Sequence, residues 1–161
     1  MRRVFADDGV ALVANTLSFE IDEINDGALS LTPCIDGTPI TVLVSKFEQS
    51  GGYTPTGGYG GLVPSYFNYG PLDRYFCGQE GSQGQSDAGP EIFVLACQCG
   101  EAGCWPLKAT VIPLHSGYKW AAFNQPHRPQ RNYHSFGPFV FEKAQYEQAV
   151  RDAEQRAKPE R

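Results

Sequence analysis

The sequence predicts an α+β fold: one domain, residues 1–161, with a mainly antiparallel sheet of about five strands and two helices, the C-terminal one amphipathic. Three observations carry this. Eighteen glycines and twelve prolines favour short strands and well-formed loops over long helices. Several runs alternate apolar and polar residues with period two. The last run, FVFEKAQYEQAVRDAEQRA, changes to helical spacing.

Residues 16–36, TLSFEIDEINDGALSLTPCID, predict a β-hairpin. Leu17, Phe19 and Ile21 alternate with polar partners, Asp26-Gly27 supplies the turn, and Leu29 and Leu31 resume the alternation. In GTPITVLVSKFEQ, Ile40, Leu43, Val44 and Phe47 follow helical spacing, with Thr38 as cap and Pro39 at the first helical position. Ile40, Val42 and Val44 also alternate as a strand would, and the helix is the reading taken.

Residues 50–70 form a loop rich in glycine and tyrosine, and residues 78–90 a polar, flexible one. Neither has the lysine of a phosphate-binding loop, and GYGGLV lacks the third glycine of a dinucleotide fingerprint. EIFVLACQC then reads as a buried strand, followed by strands at WPLKATVIPL and YKWAAF. In the C-terminal helix Tyr146, Ala149, Val150, Ala153 and Ala157 form the apolar stripe. Glu147–Arg151 and Glu154–Lys158 are supporting pairs, and residues 158–161 are expected to fray.

A net charge of −5 and a pI near 5.1 argue against nucleic-acid or anionic-membrane partners. No run approaches the roughly 18 apolar residues of a membrane span. Asp7 and Asp8 interrupt any apolar segment at the N-terminus, so no signal peptide is read and a cytoplasmic location is expected. With five cysteines, an odd number, and no export signal, reduced thiols or metal ligands are expected instead of a disulfide framework.

The chemistry concentrates in CQCGEAGCWP, where Cys97, Cys99 and Cys104 fall within eight positions. Cys97 and Cys99 share a face if both lie on a strand. If Gly100–Gly103 is a hairpin loop, Cys104 opposes Cys99 and the three sulfurs converge. Three thiols and one imidazole make a Cys₃His zinc site. His127, held extended by flanking prolines, is preferred as the fourth ligand over His115 and His134. The spacing is a single C-x-C with no second pair, so space-filling thiols come first, zinc second and a reactive thiol third. A Cys104–His127 pair would serve nucleophilic catalysis, but no acyl-transfer or redox motif accompanies it and no catalytic residue is assigned. Asp7, Asp8, Glu20, Asp22 and Glu23 read as a solvated face, not as an acid–base pair.

The second constellation is FNQPHRPQRNYHSFGPF, where His127, Arg128, Arg131 and His134 interleave with aromatics. The first reading is an extended, proline-held segment across the sheet, its aromatics in the core and its cations in water. The second is a site for a phosphate or an acidic partner, which the net acidic chain does not favour. Tyr53, Tyr59, Arg128 and Arg131 are the candidate interaction surface for a protein partner, since exposed tyrosine and arginine often anchor interfaces.

CQCGEAGCWPL, FNQPHRPQ and FGPFVFEKAQYEQAV, with GGYGGLVPS upstream, resemble a family of uncharacterised bacterial proteins over about two-thirds of the chain. The resemblance implies one self-contained domain and no established activity. It adds Cys97, Cys99, Cys104, Trp105, His127 and Arg128 as motif residues. The expected function is a binding or interaction domain without enzymatic activity; the alternatives are a zinc-stabilised domain and, last, a cysteine–histidine enzyme.

Overall fold

The computed structural model describes residues 3–5, 9, 11–24, 27–79 and 84–157. β1 (Arg3–Phe5) pairs with β2 (Ala11–Val13). β3 (Leu17–Glu23), β4 (Leu29–Ile35) and β5 (Thr38–Pro39) form a three-stranded antiparallel sheet, followed by α1 (Ile40–Ser50). After β6 (Tyr59–Gly60) and α2 (Leu72–Phe76) come β7 (Gly84–Ser86), β8 (Gly89–Cys97), β9 (Leu107–Leu114), β10 (Gly117–Asn124), β11 (Phe139–Glu142) and α3 (Lys143–Ala157). The second sheet runs β11-β10-β9-β8-β6, and β7 also pairs with β8. The α+β class is therefore as the sequence predicts.

Two single-residue bridges join the sheets. Leu31 and Leu62 exchange both backbone hydrogen bonds at 2.8 Å, and Asn15 N–H donates to the Val140 carbonyl at 2.6 Å. The pairing thus runs in a circuit from β11 through β8 and β6 to β4 and β3, then back to β11 through Asn15. This curl leaves few open strand edges. α3 covers the free edge of β3, where Gln145 bonds both the N–H and the carbonyl of Leu17.

The core lies inside the curl. Trp120 is fully buried, with ring contacts to Phe76, Phe141 and Tyr146. Its indole N–H donates to the Tyr146 hydroxyl at 2.9 Å, which in turn donates to the Phe76 carbonyl. Aromatic side chains of this size each stabilise by about 2–3 kcal/mol when buried, provided their polar ends find partners as these do.

Several expectations change. Three helices are present among the described residues, because α2 forms within the stretch after the glycine–tyrosine loop. Thr38 does not cap α1: Thr38 and Pro39 pair with β4, Pro39 is the cap residue, and no side chain bonds the helix end. Within 50–70, Tyr59, Leu62, Val63 and Tyr69 are core residues and β6 is a strand, so the segment is a packed layer. Within 78–90, β7 and the start of β8 form a hairpin; residues 80–83 lie outside the described residues. Asp7, Asp8, the Asp26 turn position and the tail 158–161 also lie outside them, and with Lys158 so does the expected pair it makes with Glu154. Glu147 accepts from the Tyr118 hydroxyl at 2.8 Å, while Arg151 bonds Gln148 instead of Glu147.

Candidate metal centre

β8 ends at Cys97 because the chain turns there. Gly100 N–H donates to the Cys97 carbonyl at 2.8 Å, and Gly100 sits at φ +94°, a left-handed conformation open to glycine. A Cβ at Gly100 would also stand 2.6 Å from the Tyr66 ring. The chain then folds back: Cys97 N–H donates to the Glu101 carbonyl at 3.2 Å, and Cys104 N–H bonds the same carbonyl at 3.4 Å. Buried Ala102 anchors the loop to the core.

The expected hairpin with Cys99 opposite Cys104 does not form, since β8 stops at Cys97 and β9 starts only at Leu107. The sulfurs nevertheless converge. The Sγ atoms of Cys97, Cys99 and Cys104 all lie within 4.8 Å of one another, close enough to hold a metal ion. Cys97 is half-buried; Cys99 and Cys104 are exposed. A tetrahedral zinc with bonds of about 2.3 Å sets its sulfurs about 3.8 Å apart, a contraction that side-chain rotation of two exposed cysteines supplies.

Two of the thiols shift in opposite directions. The Glu101 backbone amide, and then the Cys97 thiol, hold Cys99 below its ordinary value. Hydrogen bonding to Cys97 and Cys99 pushes Cys104 up to about 11. A dication would offset the repulsion that keeps the Cys104 proton in place.

His127 does not join the sulfurs; its Nε2 lies 2.7 Å from the Gly103 carbonyl, and its backbone N–H donates to Gln125 at 3.0 Å. His115, in the turn between β9 and β10, and His134, whose N–H donates to Asn132, are exposed and likewise outside the group. Cys34 and Cys77 stand elsewhere, burial pushing both thiols up.

Behind the thiols a buried polar network fixes the loop. Glu48, fully buried on the face of α1 that carries Ile40 and Val44, accepts from Gly57 N–H at 2.8 Å and Tyr59 hydroxyl at 2.7 Å. It also accepts from the Tyr133 hydroxyl, and from Arg131 at 3.1 Å. Burial first, and then the Glu48 carboxylate, hold the Tyr59 phenol protonated. Trp105 donates its indole N–H to the Gly57 carbonyl at 2.8 Å, its ring beside Tyr59 and under the guanidinium of Arg128 at 4.9 Å. Tyr59 is paired with Cys97 across β6 and β8. Gly60 permits that approach, since a Cβ there would meet the Cys97 carbonyl at 2.9 Å.

The expected interaction surface is corrected by this network. Tyr59 and Arg131 are buried, because Glu48 supplies the carboxylate that makes a core arginine tolerable. Tyr53 is half-buried and its hydroxyl accepts from Asn132 N–H at 2.9 Å, which leaves Arg128 partly exposed on Trp105. Glu48 escaped the sequence reading, although its spacing of four and eight from Val44 and Ile40 marks an acid on an apolar stripe.

Beside the thiols lies a polar groove of about 320 Å³, lined by Cys97, Gln98, Gly60, Gly61, Glu20 and Asp22 among others. Among the described residues no helix is long and apolar enough to cross a membrane. Compared with protein-family models, curated proteins and solved structures, the chain matches none.

Proposed function

We propose that this protein is a metal-binding domain that holds a thiophilic ion, zinc, through Cys97, Cys99 and Cys104, with the fourth position open to solvent or to an incoming ligand. The observation that carries this reading is the mutual approach of three sulfurs within 4.8 Å at the surface. Three thiolates suit a soft or borderline cation, and a three-ligand set leaves a position for exchange.

The ion is a guest, not a cornerstone of the fold. The loop is already held by its own backbone bonds, by buried Ala102 and by Trp105 on the Glu48 network. This departs from small domains that unfold without zinc. The interaction surface expected from Tyr53, Tyr59, Arg128 and Arg131 has less support, with two of its four residues in the core.

The test is metal analysis of untagged protein purified under reductant, followed by cobalt substitution. One ion per chain is expected, with sulfur-to-cobalt charge-transfer absorption that falls stepwise in Cys97→Ser, Cys99→Ser and Cys104→Ser. Failure to take up either ion, in protein with free thiols, would remove the proposal.

A further inference from the structure

We infer that the same thiol cluster captures trivalent arsenic or antimony oxyacids and releases zinc in exchange. The inference rests on the proposed function for its zinc half, but the capture itself needs only the three thiols.

A trivalent metalloid binds three thiolates in a pyramid whose apex is its own lone pair, so it needs no fourth donor. The structure offers three sulfurs within 4.8 Å with no imidazole in the group among the described residues, and His127 is turned to the Gly103 carbonyl. Access is equally suited, because Cys99 and Cys104 are exposed.

Charge decides between the guests. Zinc on three thiolates leaves one negative charge, whereas the metalloid leaves none. The surroundings are acidic: Glu101 is in the loop itself, and Glu20 and Asp22 line the groove that includes Cys97. Arg128, over the Trp105 ring that follows Cys104, also bonds the His127 carbonyl, and Arg131, the other guanidinium in contact with that ring, is paired with Glu48. Like charges destabilise an anionic centre and leave a neutral one untouched. Arsenous acid is also neutral at physiological pH, so it enters this acidic surface without repulsion.

The exchange balances without redox chemistry. Three As–O bonds break and three As–S bonds form. The three hydroxides take up three protons from solvent and leave as water, and the aquated zinc complex departs as the free dication. Arsenic stays trivalent and every sulfur stays a thiolate.

The experiment has two arms on the full-length, reduced protein. In the first, arsenite is added to zinc-loaded protein with a chromogenic zinc chelator present, and native mass spectrometry counts bound arsenic. One zinc released per arsenic bound is expected. Zinc retained at a tenfold excess of arsenite would overturn the exchange. In the second, arsenite is added to metal-free protein and the remaining thiols are alkylated. Protection of Cys97, Cys99 and Cys104 with one arsenic per chain is expected, and Cys99→Ser should weaken binding at least tenfold. Unprotected thiols would overturn the capture. If metal-free protein takes arsenite but never zinc, the zinc reading fails and the capture stands; if it takes zinc but not arsenite, the reverse holds.

Discussion

Arg131 Nη1 lies 3.1 Å from Glu48 Oε2, with the two side chains 2% and 0% exposed. Breaking such a pair from one side leaves an uncompensated buried charge. Glu48→Ala is therefore expected to destabilise by about 3–5 kcal/mol in denaturant unfolding. Because Glu48 also holds Gly57 and Tyr59 beside the thiol loop, the variant should alkylate faster at Cys97, which is half-buried in the native protein.

Tyr69 Oη is a buried side-chain atom without a hydrogen-bond partner among the described residues. An unsatisfied hydroxyl costs on the order of 1–3 kcal/mol, and its removal creates no new orphan. Tyr69→Phe should leave stability unchanged or raise it by about 1 kcal/mol, read as a shift in denaturation midpoint at constant slope. A loss of 1 kcal/mol or more would mean that the hydroxyl has a partner.

His127 is near the thiols yet bonded to the Gly103 carbonyl. As a bystander to the metal, it can be replaced without loss of a ligand. His127→Ala should keep zinc affinity within about threefold, while each cysteine variant loses tenfold or more. A loss in His127→Ala equal to that in Cys104→Ser would make the imidazole the fourth ligand.

Metal uptake should depend steeply on pH. Cys104 is pushed up to about 11 and keeps its proton at neutral pH, so the ion must displace it, whereas the depressed Cys99 yields its proton first. Each proton displaced makes apparent affinity rise about tenfold per pH unit until that thiol ionises unaided. Zinc affinity measured at pH 6 and 7 should differ by at least tenfold, tighter at the higher pH, with protons released on binding.

The sequence made some of this legible and concealed the rest for physical reasons. The stripe on α3 could be read because Tyr146, Val150 and Ala153 repeat at one local period and face one core. The convergence of Cys97, Cys99 and Cys104 was also legible, but by a different geometry: Gly100 at φ +94° ends the strand and folds the loop back. A glycine in sequence does not declare which turn it makes. Tyr59 and Arg131 looked like surface residues because their types favour interfaces. Their burial depends on Glu48, 83 positions from Arg131, and pairing over such a distance leaves no local pattern.

Zinc binding by the three thiols can be read from differential alkylation of the reduced protein, with mass-spectrometric readout at each cysteine, with and without one equivalent of zinc. Cys34 and Cys77, whose burial raises their thiols, serve as internal references. Zinc should protect Cys97, Cys99 and Cys104 together and leave the two references unchanged. Alkylation of those three at the same rate with and without zinc would mean that the cluster does not hold the ion.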